Sequence, residues 1–252
     1  MTNILITGAS GGFGKEFTHY FDKDNNHLFL QGTSLSKLEE LKSNIKSSVT
    51  LLPCDFSDEN SLNDFLEEIR DISFDVVINN SGLGYHGYFV DMEDTLVSNM
   101  IDINMKALTL ISHVVLKKMK EKQSGYLLNV GSVASYFPGP LMAQYYATKA
   151  YVLSLSSALY EESKDYNVVV SCLCPGPTKT EFHQRAQIDS NSLLGKLFIS
   201  DPAKIVKVGI KDLSKKRRVS HPGIRNKFSI ISSKLLPHSL YIKIMKQVQM
   251  KR

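Results

Sequence analysis

Residues 7–14 read Thr-Gly-Ala-Ser-Gly-Gly-Phe-Gly and follow directly on a short strand-like segment that begins at Asn3. A strand that ends in a glycine-rich turn and then opens a helix forms an anion site, because backbone N–H groups and the helix dipole face the phosphate and glycine allows close approach. The position of this turn at the end of the first strand favours dinucleotide binding over a merely glycine-rich turn. The predicted contacts of this turn are Gly8, Ser10, Gly11, Gly12, Phe13 and Gly14.

Short apolar segments alternate with longer amphipathic segments along most of the chain. Predicted strands cover 3–7, 27–31, 49–53, 75–79, 125–130 and 167–173, and predicted helices cover 12–21, 36–42, 57–69, 95–105, 107–120 and 145–163. Fully apolar strands separated by helices indicate a parallel sheet that is covered on both faces. The pattern therefore predicts one doubly wound α/β domain over residues 1–222, followed by an extension over residues 223–252.

The composition is that of an ordinary globular protein, with 42% hydrophobic and 22% charged residues. Three cysteines (Cys54, Cys172 and Cys174) are too few for a disulfide framework, and free buried thiols fit a reducing compartment. The first residues lack the basic start and long apolar core of a signal peptide, so we expect a cytoplasmic protein. The histidines are scattered, and the sequence predicts no metal site.

Charge is distributed unevenly between the two parts of the chain. Residues 213–252 contain eleven Lys or Arg and no acid, which leaves 19 basic and 25 acidic residues in the remainder. In residues 226–252 the lysines alternate with apolar residues, and a basic amphipathic helix is typical of contact with a membrane surface. Docking on the body of the protein, docking on another subunit, and simple solubility remain alternatives. Nucleic acid is a less favoured partner, because no recognised binding module is present.

The end of the second predicted strand bears on the choice of dinucleotide. An acid there would bind a ribose hydroxyl and favour NAD, whereas Thr33 and Ser34 carry no charge that would repel the 2′-phosphate of NADP, and Lys37 is near. NADP is therefore the preferred cofactor and NAD the alternative, unless these residues merely begin a turn. Asp55 and Phe56 follow the third strand, where Asp55 is placed either to contact the adenine or to cap the next helix.

Tyr145 and Lys149 are four residues apart, which places both on one face of a helix. This pair is weak evidence alone, but together with the glycine turn and Ser132 it indicates a nicotinamide-dependent oxidoreductase. A phenol has an ordinary pKa near 10, and a neighbouring lysine cation is expected to lower it so that Tyr145 can exchange a proton. Ser132 is expected to hydrogen-bond the substrate oxygen. Tyr146 is the competing phenol, but four residues after it stands Ala150.

In these residues the chain resembles the short-chain dehydrogenase/reductase family, and its basic extension is similar to that of a bacterial subgroup. The motifs are residues 7–14, Asp55, Asn79-Asn80-Ser81-Gly82, Asn104, Ser132, Tyr145 with Lys149, and residues 175–180. The resemblance implies a three-layer sandwich around a sheet of about seven strands, and a catalytic set of Asn104, Ser132, Tyr145 and Lys149 in which Asn104 anchors a water. It also implies that the cofactor contacts include Asn80, Ser81, Gly82, Tyr145, Lys149, Pro175, Gly176, Thr178 and Thr180.

Two departures from the family pattern stand out: Ser81 replaces the usual alanine, and Gly11 stands where members that prefer NADP often carry a basic residue. The family resemblance further implies a homodimer or homotetramer that pairs through helices at 95–120 and 145–163.

The substrate wall is expected in the loop at 181–200, joined by the apolar and aromatic residues Leu83, Tyr85, Tyr88, Phe137 and Leu141. Such a lining favours a small apolar carbonyl or alcohol as substrate, although these residues could equally pack a lid. A different class of function, a dinucleotide-binding sensor or scaffold with incidental turnover, is the alternative to an enzyme.

Overall fold

Seven parallel strands form one sheet in the order β3-β2-β1-β4-β5-β6-β7 in the computed structural model, which describes residues 1–178 and 200–250. The strands are β1 (Thr2–Ile6), β2 (Asn26–Gly32), β3 (Ser48–Pro53), β4 (Val76–Asn79), β5 (Gly125–Val130), β6 (Val168–Leu173) and β7 (Val219–Ser220). The order reverses between β1 and β4, and in open α/β sheets ligands bind at the carboxyl ends of the strands beside such a switch point. The glycine turn after β1 lies at this point.

Helices cover both faces of the sheet and confirm the predicted doubly wound sandwich. The helices are α1 (Gly12–Phe21), α2 (Leu35–Lys42), α3 (Glu59–Arg70), α4 (Asp94–Ile101), α5 (Leu108–Lys122), α6 (Ala143–Glu162), α7 (Pro202–Ser214), α8 (Ile224–Leu235) and α9 (His238–Met250). On one face, α3 and α5 bury Phe65 and Met119 against the sheet. On the other face, α1 and α7 bury Phe17 and Ile205.

The predicted pair of helices at 95–105 and 107–120 is a single continuous run with a π-helical turn in its middle. This turn, Asp102–Ala107, lies between α4 and α5 and carries the buried Asn104. The sequence does not predict this turn, because a π-helical turn differs from an α-helix only in hydrogen-bond register.

The C-terminal extension folds back on the body of the protein, which was one of the alternatives open at the sequence level. Ile230 and Tyr241 are buried, and the ring of Tyr241 meets the ring of Phe137 at 5.1 Å between centroids. No helix in the described part of the chain has the length and apolar character needed to cross a membrane. The short strand β7, which the sequence reading did not identify, leads into this extension.

Candidate active site

The glycine turn is held open by hydrogen bonds and by close packing. Gly8 has a φ of +62°, in the left-handed region that favours glycine, and its N–H donates to Oε1 of Gln31 at 2.9 Å. Gly8, Ser10, Gly11, Gly12 and Phe13 line one large cavity. Gly14 does not line it, because Gly14 packs beneath the turn, where an added Cβ would lie 2.7 Å from Cα of Ala9.

Gln31 is a site residue that the sequence reading missed. Its Oε1 also accepts from Ser81 Oγ at 3.1 Å, and its Nε2 donates to the Cys54 carbonyl at 2.8 Å. Gln31, near the end of β2, therefore ties together the segments that follow β1, β3 and β4 around the glycine turn. The available signal was a polar residue inside an apolar strand, since a buried amide must find partners.

Asn80, Ser81 and Gly82, which are predicted cofactor contacts, line the cavity. The Asn80 side chain donates to the carbonyl oxygens of Thr7 and Gly8 at 3.0 and 3.2 Å. This segment therefore fixes the backbone of the glycine turn from the neighbouring strand.

Two residues predicted to contact the cofactor have local structural roles and are not in the cavity lining, whereas Thr33 is in it. Ser34 caps α2 and accepts from the N–H of Lys37. Asp55 is exposed and accepts from the backbone and hydroxyl of Ser57 at 2.9 and 2.7 Å. The cap of α3 is the neighbouring Asp58, which accepts from the N–H of Ser61. Phe56, in contrast, is buried and lines the cavity.

Ser132, Tyr145 and Lys149 come together where β5 ends beside the first turns of α6. The hydroxyl of Ser132 is hydrogen-bonded to the phenol of Tyr145. Nζ of Lys149 lies 5.9 Å from the centre of the Tyr145 ring and donates to the Val130 carbonyl at 2.8 Å. The spacing of four residues thus brings the phenol and the ammonium to one wall of the cavity.

Burial is the largest influence on the pKa of both Tyr145 and Lys149. It raises the pKa of the Tyr145 phenol above its ordinary value, and the hydrogen bond with Ser132 opposes this increase. It lowers the pKa of Lys149 to about 8, opposed by the nearby thiols of Cys172 and Cys174. Lys149 is not among the groups that lower the pKa of Tyr145 in this structure, and loss of solvation sets the direction of the shift.

The side-chain amide of Asn104 is hydrogen-bonded to Leu83, in the loop after β4, and to Thr148. Its Nδ2 donates to the Leu83 carbonyl and to Oγ1 of Thr148 at 2.9 and 3.0 Å, and its Oδ1 accepts from the N–H of Leu83 at 2.8 Å. A Cβ on Gly82 would lie 3.3 Å from that oxygen and 3.5 Å from Nζ of Lys149. Asn104 thus connects the π-helical turn to the loop after β4, beside the lysine.

The cavity has a volume of about 580 Å³ and extends from the glycine turn, past Tyr145, to an apolar end. Of the residues predicted to form the substrate wall, Leu83 and Phe137 line it, whereas Tyr85, Tyr88 and Leu141 do not. Pro175, Gly176 and Thr178, which are also predicted cofactor contacts, line the cavity as well. The predicted contact Thr180 and the substrate loop at 181–199, with Phe182, Ile188, Leu193, Leu194, Leu197 and Phe198, lie outside the described residues.

The apolar end of the cavity is built largely by the C-terminal helices, which the sequence reading did not place there. The lining residues from this part of the chain are Asn226, Ser229, Ser232, Leu236, Tyr241, Ile244, Met245 and Val248. Nε2 of Gln249 donates to the Tyr146 hydroxyl at 2.8 Å, and the Gln249 carbonyl lies 3.1 Å from Nε2 of His86. No local signal reveals these contacts, because they join residues more than a hundred positions apart.

Known proteins that resemble this chain point to one family. Residues 2–191 match the sequence model of a family described as short chain dehydrogenase. A very-long-chain 3-oxoacyl-CoA reductase from Laccaria bicolor is 33% identical over 67% of this chain and 52% of its own length. A reductase of the same name from Bos taurus is 28% identical over 95% of this chain and 77% of its own length. This chain therefore spans about half the length of the fungal relative.

Among solved structures, a short-chain dehydrogenase from Sphingobium yanoikuyae in complex with NADPH is 25% identical, with a TM-score of 0.83 over 93% of this chain and 94% of that one.

Proposed function

This chain belongs to the short-chain dehydrogenase/reductase family of NAD(P)-dependent oxidoreductases, and we propose that it reduces an apolar ketone to the secondary alcohol with NADPH. One observation carries the proposal. The cluster of Ser132, Tyr145 and Lys149 lies in the middle of a cavity that has a glycine-rich anion site at one end and an apolar chamber at the other.

The residues at the first end fit a dinucleotide. Four of the glycine-turn residues that face the cavity are small enough for a diphosphate to approach the backbone: Gly8, Ser10, Gly11 and Gly12. Because the N-cap of α1 is Gly11, no cap side chain occupies the first N–H groups of this helix. Thr33 would lie beside the ribose, and none of the described residues that line the cavity carries a carboxylate to oppose a 2′-phosphate. When bound, the nicotinamide supplies the hydride or accepts it, and Lys149 and Thr178 line the cavity where they would hold this half of the molecule.

Tyr145 is the proposed proton donor. The phenol is protonated at neutral pH, since its ordinary pKa near 10 is raised further by burial, and it can deliver a proton to the carbonyl oxygen as the carbon is reduced. Ser132 would bind the same oxygen and stabilise its developing negative charge.

The apolar end of the cavity supports a substrate with a long or bulky hydrocarbon part. Tyr241, Ile244, Met245 and Val248 of α9 form one side of it, and Phe137 faces Tyr241. The names of the relatives from Laccaria bicolor and Bos taurus favour a 3-oxoacyl thioester among such ketones. This substrate class is a proposal for the present chain.

The test is a titration of the purified protein with NADPH and NADH, followed by NADPH oxidation with 3-oxoacyl thioesters of increasing chain length. We expect tighter binding of NADPH and a kcat/KM that rises with chain length, because each buried methylene contributes about 0.8 kcal/mol. Binding without turnover of any ketone or alcohol would favour the sensor or scaffold. Failure to bind either nucleotide would overturn both functions.

For the assembly, we propose a homodimer or homotetramer that pairs through α4, α5 and α6, and a cytoplasmic protein with peripheral contact at the inner membrane surface through residues 223–252. Ile101 on α4 is 45% exposed, which supports a partner on that side. If light scattering at high protein concentration shows a monomer, the proposed oligomer is wrong.

A further inference from the structure

Helix α8 turns an apolar stripe away from the protein. Ile224, Phe228, Ile231 and Leu235 follow each other at intervals of four, three and four residues, which places them on one helix face. Their exposed fractions are 84%, 73%, 54% and 78%. A continuous apolar stripe on a surface helix normally faces the core, so its outward position here indicates a partner.

The inward side of the same helix is largely polar. Asn226, Ser229 and Ser232 line the cavity, while Ile230 is the buried apolar residue of this helix. Helix α8 is therefore oriented by contacts that place hydroxyl and amide groups toward the site and leave its apolar side uncovered by the described body.

A cationic cleft adjoins the start of this stripe. It lies between α7 and the first turn of α8, has a volume of about 400 Å³, and shares Ile224 with the stripe. Its basic side chains are Lys211, Lys215, Arg217 and Lys227, with His221 at its edge. The carboxylate that also lines it, Asp212, is already bound by Arg217 at 2.9 Å and by Ser220 at 2.7 Å.

We propose that α8 lies in the surface of an anionic phospholipid bilayer, with its apolar stripe among the acyl chains and a lipid phosphate in the cationic cleft. Exposed apolar side chains beside lysines are the combination that binds such surfaces. A second copy of the chain fits less well, because two-fold pairing through the stripe would bring two cationic clefts into the same interface.

This inference deepens the peripheral contact proposed above by assigning it to one helix face and one cleft. Since α8 is also a wall of the cavity, the bilayer would border the apolar end that we propose for the substrate. That consequence rests on the proposed function, whereas membrane binding itself does not.

The full-length protein is tested by flotation with vesicles of phosphatidylcholine alone and of phosphatidylcholine mixed with phosphatidylglycerol. We expect binding to the anionic vesicles, weaker binding at about 1 M salt than at about 0.1 M, and little binding to the neutral vesicles. Equal binding to both vesicle types, or no binding to the anionic ones, would overturn the proposal.

Paired variants separate the stripe and the cleft from general effects. Phe228→Ser should weaken vesicle binding by about tenfold or more, whereas Val90→Ser, at an apolar residue 86% exposed outside the extension, should not. The double variant Lys211→Gln/Lys215→Gln should weaken it by about 25-fold, from roughly fivefold per lysine. The variant Lys42→Gln/Lys46→Gln removes the same charge at exposed sites in and just after α2, and an equal loss with this control would contradict the binding of a lipid phosphate in the cleft.

Two further readouts keep the outcomes distinct. If Phe228→Ser leaves vesicle binding unchanged but dissociates an oligomer in sedimentation, the stripe belongs to a second copy and the proposal fails. Turnover of a water-soluble ketone without vesicles measures the proposed catalytic function separately. Loss of membrane binding therefore does not imply loss of catalysis.

Discussion

Gln249 and Tyr146 are joined by a hydrogen bond of 2.8 Å that links the last helix to the residue beside Tyr145. Gln249 is completely buried, and its carbonyl lies 3.1 Å from the ring of His86 on the opposite loop. Helix α9 is thus fastened at its end to both sides of the cavity. The position of the chamber wall depends on this fastening, because α9 contributes four apolar lining residues.

Replacement of Gln249 by Ala should therefore impair reduction of long-chain ketones more than of short ones. Losing a buried hydrogen bond costs about 1–3 kcal/mol, which corresponds to a decrease of about fivefold to about 150-fold in kcat/KM if the chamber closes only when α9 is seated. Steady-state kinetics with a short and a long substrate measure this ratio. Gln247→Ala is the matched control, since Gln247 is an exposed glutamine on the same helix.

Equal losses for the two substrates would show that Gln249 acts on general stability and not on the chamber. Hydrogen exchange provides an independent measurement, since α9 amides should exchange faster in Gln249→Ala while those of β5 should not.

The sequence predicts the part of the site that depends on local chemistry. The glycine turn, Ser132, and the spacing of Tyr145 and Lys149 all act through neighbours in the same strand, turn or helix, and the structure brings them together. The extension is different. Its amphipathic pattern predicts a helix with one apolar side, but the pattern alone does not say which side meets the body.

An amphipathic helix usually turns its apolar side toward the body of the protein, but α8 does not. Phe228 and Leu235 point outward, while Ser229 and Ser232 face the cavity. Ser34 and Asp55 illustrate a related limit. Both types of side chain cap helices or close turns as readily as they bind ligands, and only the three-dimensional structure shows that they do so here.

Tyr145→Phe should abolish turnover while leaving the cofactor site intact. Removing a general acid lowers kcat by about a hundredfold to ten-thousandfold, whereas the glycine turn that would bind the phosphates is untouched. Stopped turnover with unchanged NADPH fluorescence titration is the expected result.

Tyr146→Phe is the control for Tyr145→Phe, because it removes a neighbouring phenol on the same helix. Since it also removes the hydrogen bond from Gln249, both variants are compared with a short ketone, whose reduction should depend least on the position of α9. Full activity in Tyr145→Phe would contradict the assignment of the proton donor. A loss of kcat as large in Tyr146→Phe would move the assignment to the second phenol.

Lys149 should make the stability of the nucleotide-free protein depend on pH. Its pKa in the folded state is about 8, below the ordinary value of 10.5, so below pH 8 both states are protonated and the full cost of burying the charge applies. Between pH 8 and 10.5 the unfolded state binds more protons, and the folded state therefore gains stability as the pH rises.

The free energy of unfolding of the wild type, relative to Lys149→Met, should increase by about 3 kcal/mol across this window, as measured by urea denaturation. The variant removes the ammonium but retains an unbranched side chain of similar length, and the titration of other groups is shared by both proteins. A difference that stays constant with pH would show that Lys149 is not desolvated in the folded state.

Two glycines of the first turn should respond differently to alanine. In Gly14→Ala the new methyl group would lie 2.7 Å from Cα of Ala9, so we expect a loss of about 3 kcal/mol or more in the free energy of unfolding. Gly12 faces the cavity, so Gly12→Ala should weaken nucleotide binding more than stability. Thermal unfolding with and without NADPH separates the two effects. Similar stability losses in both variants would contradict the distinct roles of these positions.

The preference for NADPH should depend on Thr33, which lies at the end of β2 and lines the cavity. In Thr33→Asp a carboxylate would repel a 2′-phosphate and could accept a hydrogen bond from a free 2′-hydroxyl. We therefore expect KM for NADPH to increase by about tenfold or more, as for a loss of about 1.4 kcal/mol, while KM for NADH stays unchanged or decreases. Asn44→Asp adds the same charge at an exposed site just after α2 and should change neither value. If Thr33→Asp keeps its preference for NADPH, the 2′-phosphate is recognised elsewhere, and the assignment of this end of the cavity to the ribose is wrong.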